Sequence, residues 1–218
     1  MTFTPDKKND SGRNNSDKFG YLVNIMKGVN IFLAEGFEDV EALATYDVLR
    51  RGGVNVNLVS INDEPFVVSS HGLTVGVGQS IHEMDLSAAG TGLKDVMIFP
   101  GGMPGTRNLA ACKPLMKAMK EHYAAGGSVA AICAAPGLVL GQLAEELSGK
   151  EFTCYDGFQD GPESFGAIFV PKPAVRSGRM ITGRSAGHAV AFGLLILELL
   201  KGSEEAGKVD HSMHLETI

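Results

Sequence analysis

Short apolar runs rich in β-branched residues alternate along this chain with segments whose apolar residues recur at helical spacing. This alternation constrains the fold more than any other feature. Residues 29–34 (VNIFLA) have the composition of a strand buried on both faces. In residues 38–51, Val40, Leu43, Ala44 and Val48 share one helical face, and Gly52-Gly53 ends the helix. A second strand follows at 54–60 (VNVNLVS), then a smaller, glycine-containing β excursion at 66–79. Residues 95–99 (DVMIF), 128–132 (SVAAI) and 179–182 (RMIT) read as further strands. Residues 113–124, 136–147 and 187–200 read as helices. Strand–helix alternation with short links predicts a doubly wound, mostly parallel α/β sheet with helices on both faces.

The ends differ from this pattern. Residues 1–25 are rich in Asn, Asp, Ser and Lys and carry little to bury, so they read as a disordered polar extension. A single domain is expected over 26–202, followed by a polar tail at 203–218 that should fray. The 25 acidic and 19 basic residues give a formal charge of −6. That balance argues against nucleic acid or an anionic membrane surface as partner. No apolar stretch approaches the roughly 18 residues of a membrane span. Three scattered cysteines make neither a disulfide framework nor a four-ligand metal site, and an odd number of thiols fits a reducing, cytoplasmic setting. No phosphate-loop or dinucleotide fingerprint is present, and neither cofactor nor metal is expected.

In open parallel sheets, ligands bind beyond the carboxyl ends of the strands, near a reversal of strand order. Three such loops carry chemistry: AEGFEDVE, PGGMPG and CAAPG. Cys133 sits where the strand at 128–132 turns into a helix. A helix N-terminus favours an anion and can lower a thiol pKa from about 8.5 toward 3.5–7.5. The backbone N–H of Ala134 is aimed toward the same side chain. The pattern alone also fits a small, inert, buried cysteine. Glu41 lies one turn into the helix after the first strand, beside Val40, where it either faces solvent or points a half-buried carboxyl toward Cys133. Glu38 and Asp39 read as favourable charges at the helix start. Gly101-Gly102 permits a sharp turn whose amides can stabilise an oxyanion, or is a plain tight turn. His188, just after Arg184-Ser185 in another post-strand loop, is a candidate to enter the same crevice. His122, on a charged helix, reads as solvated, and Cys112 and Cys154 read as structural.

The segments AEGFEDVEALATYDVLRRGG, VMIFPGGMPGTRNL, AAICAAPGLVL and ITGRSAG, in this order over about residues 27–201, resemble the ThiJ/PfpI superfamily. Within it they are most similar to the branch of the parkinsonism-associated protein deglycase and its bacterial relatives. The resemblance implies a flavodoxin-like (class I glutamine amidotransferase-like) fold and a homodimer. It implies a reactive elbow cysteine at Cys133, a partner glutamate at Glu41, and a pocket lined by Gly101 and Gly102. It also implies cofactor-free action on small carbonyl compounds (glyoxalase or deglycase chemistry), or redox sensing and chaperone-like behaviour without turnover. The protease-like branch carries His directly after the cysteine, where this chain has Ala134. The deglycase branch supplies a loop His, and the stretch matched to that loop, 162–170 (PESFGAIFV), has none. Peptide hydrolysis, which needs a general acid for the leaving amine, is therefore not expected.

Magnitudes explain why both side chains are needed. Lowering a thiol pKa by about three units takes roughly 4 kcal/mol. A helix N-terminus gives about 0.3–1, or up to about 2 kcal/mol. A hydrogen bond to a charged sulfur gives roughly 1.5–3 kcal/mol. The sequence reading thus expects a lowered thiol pKa maintained jointly by the helix and Glu41.

Overall fold

The computed structural model describes residues 24–88 and 90–215. The expected extension over residues 1–23 lies outside the described residues. Asn24–Ile25, placed in the polar extension by the sequence, pairs in parallel with Met84–Asp85.

Seven strands form the central sheet: β1 (Val29–Leu33), β2 (Val56–Ser60), β3 (Gln79–Ser80), β4 (Val96–Phe99), β5 (Ser128–Ile132), β6 (Ala174–Ser177) and β7 (Met180–Gly183). Their spatial order is β6-β7-β5-β4-β1-β2-β3, and every pairing is parallel except β6 with β7. From β1 the chain winds one way to β2 and β3, then crosses back to β4 and β5. The crevice at the carboxyl ends of β1 and β4 is therefore the switch point. The protein is a doubly wound, mostly parallel α/β fold, as the alternation predicts, and it is flavodoxin-like, as the resemblance implies.

Both faces of the sheet are buried, which is why β1, β4 and β5 are continuous apolar runs. Ile31, Leu33, Ile98 and Ile132 face one side, under α1 (Asp39–Arg51) and the late helix Ala189–Lys201, with Val48, Phe192 and Leu197. Phe32, Met97, Phe99 and Ala131 face the other, under α2 (Gly105–Ala111), α3 (Lys113–Ala124) and α4 (Ala135–Leu138), with Leu109, Leu115, Met119 and Ala135. Phe32 and Phe99 stack with centroids 5.6 Å apart. The short α5 (Asp160–Ser164), then α6 (Ala189–Lys201) and α7 (Ser203–Ser212), complete the helices discussed below.

Four expectations require correction. First, the buried face of α1 is Glu41, Ala42, Thr45, Val48 and Leu49, while Val40 is half exposed. The helix is rotated because it packs on α6, where glycine makes room: a Cβ on Gly193 would press on Val48 at 3.0 Å. Second, the helix expected at 136–147 breaks. α4 has only four residues, and a 3₁₀ segment, Leu140–Leu147, follows with a non-helical Ala144 (φ 50°, ψ −113°). Pro136, Gly137 and Gly141 weaken helix propensity across this stretch.

Third, His122 is buried. Its Nε2 lies 3.1 Å from Asp95 O and 3.0 Å from Ser128 O, and burial holds its pKa below the ordinary value. Gly127 provides the space, since a Cβ there would run into the imidazole. Fourth, part of the C-terminal segment expected to fray forms α7. Ala206 and Val209 are buried, and Lys208 pairs with Glu204 and Glu205 on the outer face. Two apolar residues three apart are enough to seat this polar helix on the core.

Candidate active site

Three post-strand loops interlock at the switch point. Glu38, the N-cap of α1, accepts the Glu41 N–H through Oε2 at 2.7 Å, and its own N–H donates to Gly101 O at 3.0 Å. The Gly105 N–H donates to Gly36 O at 3.1 Å. Gly102 adopts φ +90° and sits against the Gly36–Glu38 backbone, where a Cβ would come 2.6 Å from Gly36 O. The turn thus requires glycine for both its dihedral and the space it leaves.

Cys133 occupies a strained turn between β5 and α4. Its φ of +65° is a left-handed conformation that non-glycine residues rarely adopt. Its N–H donates to Gly183 O (3.0 Å), and its C=O accepts from the Tyr155 N–H (2.8 Å). The side chain faces Glu41, with which it is hydrogen-bonded, and it receives the Ala134 and Gly102 backbone N–H groups. Glu41 is buried. Its Oε2 accepts from the Gly101 N–H at 2.7 Å, and its Oε1 is buried without a hydrogen-bond partner. Gly101 is the floor between the two side chains: a Cβ there would fall 2.5 Å from Glu41 Oε2 and 3.1 Å from Cys133 Sγ.

The electrostatics correct the expected lowered thiol pKa. A four-residue α4 carries little macrodipole. Burial, and after it the charge of Glu41 and the hydrogen bond to it, push the Cys133 thiol up to about 12. The Ala134 and Gly102 N–H groups pull the other way. Burial raises Glu41 to about 7, against the bonds from Cys133 and Gly101. The pair therefore releases its first proton near neutrality and holds the second far into alkali. In the singly protonated pair the charge therefore sits on the Glu41 carboxylate and the proton on sulfur, so attack by the sulfur requires Glu41 to take that proton.

Gly101 also departs from its expected role, because its N–H is committed to Glu41. The donors left at the sulfur are Gly102 and Ala134. His188 Nδ1 lies 3.0 Å from Ser185 Oγ, and Arg184 pairs with Asp156 at 2.8 Å. Among the described residues, neither His188 nor Arg184 is hydrogen-bonded to Cys133 or Glu41. The loop residue that does touch the cysteine is Tyr155, which sequence reasoning passed over. Only the pairing of segments distant in sequence reveals it. Glu38, Asp39 and His71 bring ligand atoms within 4.8 Å of one another. Asp39 already engages Ser69 Oγ (2.6 Å) and His71 Nδ1 (2.5 Å), so the cluster is an internally paired one.

Fold and site together define a type of α/β protein with a cysteine held at a strand–helix elbow beside a protonatable carboxyl. The chain belongs to the DJ-1/PfpI family, whose family model matches residues 27–199. It is similar to DJ-1 homolog B of Arabidopsis thaliana, with 35% identity over 183 residues, covering 84% of this chain and 40% of that protein. It spans less than half the length of this relative and of the similar DJ-1 homolog A, of which it covers 46%. It is also similar to the glutathione-independent glyoxalase DJR-1.2 of Caenorhabditis elegans, with 31% identity over 175 residues, 80% of this chain and 89% of that one. The crystal structure of Drosophila melanogaster DJ-1beta superposes with a TM-score of 0.76 at 30% identity, covering 86% of this chain and 97% of that one. No helix among the described residues is long and apolar enough to cross a membrane.

Proposed function

We propose that the protein is a cofactor-independent glyoxalase-type enzyme acting on small 2-oxoaldehydes such as methylglyoxal, or on their adducts. The observation that carries this reading is the buried Cys133 thiol facing the Glu41 carboxyl across Gly101, a carboxyl that gives up its proton near neutrality and is then placed to act as the base for the thiol, with the Gly102 and Ala134 N–H groups converging on the sulfur. The Glu41 carboxylate takes the Cys133 proton as Sγ attacks the aldehyde carbon, and passes it to the carbonyl oxygen, giving a hemithioacetal. The Glu41 carboxylate then removes the hydrogen on that carbon as a proton. It returns the proton to the neighbouring carbon through an enediol, leaving a thioester. Water cleaves the C–S bond and releases lactate and the free thiol. The net change is addition of water with an internal redox exchange between two carbons, so no external oxidant or reductant enters. Positioned acids and bases contribute about 10²–10⁴ in rate, and each oxyanion donor about 10²–10³.

Cys133→Ser is expected to lower methylglyoxal consumption and lactate formation by about 10³-fold or more, since a hydroxyl at this position lacks a base strong enough to ionise it. Equal rates in the two proteins end the proposal. A second reading, Cys133 as a peroxide sensor without turnover, is favoured by the protonated Glu41 that would donate to an oxidised sulfur. It is distinguished by a wild-type protein that consumes no dicarbonyl yet gains oxygen at Cys133 ahead of Cys112 and Cys154.

We also propose that the protein is a homodimer formed through α1. Val40, Phe66 and Leu73 are each 42–50% exposed. Val40 adjoins Asp39, and the Asp39–Ser69 bond ties α1 to the hairpin that carries Phe66 and Leu73. An apolar face of this kind beside a buried site suits a second copy of the chain. Val40→Lys is expected to convert dimer to monomer by light scattering. A monomeric wild type, or an unchanged dimer in the variant, removes this assignment.

A further inference from the structure

Both backbone polar groups of Cys133 are held by segments that follow other strands. Its N–H bonds Gly183 O, and its C=O accepts from the Tyr155 N–H. The next residues along those two segments are Arg184 and Asp156, and they join at 2.8 Å between Nη2 and Oδ1. The same segments meet again in the interior, where Thr182 Oγ1 accepts from the Thr153 N–H at 2.9 Å. The elbow peptide is thus flanked by two cross-links, one buried and neutral, one ionic and at the surface. Arg184 is itself anchored: its N–H donates to Pro173 O at 3.0 Å, and its guanidinium lies 5.9 Å from the Phe169 ring centroid.

Such a frame has a physical purpose. At φ +65°, Cys133 occupies a conformation that an L side chain resists and that persists only when its surroundings impose it. Relaxation toward negative φ would swing Sγ away from Glu41 and from the Gly102 and Ala134 N–H groups. We infer that the Arg184–Asp156 bridge is a positioning device for the nucleophile, with Arg184 acting on Cys133 through Gly183, Asp156 and Tyr155 and making no substrate contact. The inference rests on the reading of Cys133 as the reactive group, and it does not depend on which compound that group attacks.

The test is the alkylation rate of Cys133, read by peptide mass spectrometry so that Cys112 and Cys154 do not contribute. Neutral iodoacetamide and anionic iodoacetate are compared on wild type, Asp156→Asn, Arg184→Gln, the double variant, and the charge-swapped pair Asp156→Arg with Arg184→Asp. Both single variants and the double variant are expected to slow by the same two- to fivefold, about the range of an exposed ion pair, and equally for the two reagents. The charge swap should restore the rate. Wild type in about 0.5 M salt should slow toward the variants without any mutation, so the test does not depend on every variant folding. Unchanged rates in the single variants, or additive losses in the double, overturn the inference. A loss confined to Arg184→Gln with iodoacetate does so as well, since it would make Arg184 an anion-binding residue. Alkylation requires no turnover, so failure here is distinct from failure of the glyoxalase assignment.

Discussion

Glu41→Gln is expected to raise the melting temperature at pH 8 by about 6–12 °C over wild type, and by much less at pH 5. The carboxyl is 1% exposed, and its pKa rises from an ordinary 4.5 to about 7 on folding, chiefly because burial disfavours the charge. A shift of this size corresponds to about 3 kcal/mol. The folded pKa lies above the unfolded one, so the folded protein binds the proton more tightly. The stability this contributes is fully present below about pH 4.5 and is lost as pH rises through about 7. Wild type therefore forfeits about 3 kcal/mol across that window, and the glutamine variant, which has no proton to lose, does not. At about 2–4 °C per kcal/mol for a domain of this size, the difference in melting temperature follows. The same variant removes the Glu41 charge, which together with burial holds the Cys133 thiol up, so Cys133 alkylation at pH 7 is expected to rise. Stability curves that run parallel from pH 5 to 8, or alkylation unchanged at pH 7, would mean that the two side chains are not coupled.

The second large effect is expected at the turn beneath this pair. Gly102→Ala should lower stability by about 3 kcal/mol or more, observable as a fall in melting temperature of about 6–12 °C. The new Cβ would enter the space held by the Glu38 N–H and would lie 2.6 Å from Gly36 O and Phe37 C. Those are backbone atoms at the start of α1 and cannot rotate away as a side chain could. A φ of +90° adds conformational strain at a non-glycine residue. Any relaxation separates the β1 and β4 loops and breaks the bond from the Glu38 N–H to Gly101 O, so Cys133 alkylation should fall together with stability. A variant that melts within about 2 °C of wild type would show that the two loops are not packed as described.

The class of fold was legible because it depends on local periodicity. Continuous apolar runs such as residues 96–99 fit only strands buried on both faces, and the alternation with helices leaves few topologies. The chemistry-bearing loops were legible for a related reason, since a parallel sheet delivers every post-strand loop to one edge. Cys133 and Glu41, 92 positions apart, became candidates on that ground, but it was the family resemblance that set them apart from an inert cysteine and a solvated carboxylate. Local pattern was less informative where burial depends on a distant partner. The heptad-like face of α1 includes Val40, yet packing against α6 turns Val40 outward and Glu41 inward. His122 reads as a charged-face residue until Gly127 opens the space that buries it.

The amino-acid order by itself determined a doubly wound sheet, a cysteine at a strand–helix elbow and a carboxyl in the first turn of the helix after the first strand. The proton affinity of that pair was decided only by tertiary structure. A thiol near a helix start is expected to ionise easily, but here the helix is one turn long and the desolvation comes from groups spread along the chain. The Gly101 N–H, 60 residues away, takes one oxygen of Glu41, and Gly183 and Tyr155 hold the cysteine backbone in place. Charge stabilisation in a buried site is set by which dipoles surround it and how much water is excluded. Both quantities are sums over contacts distant in sequence, so no local pattern encodes them.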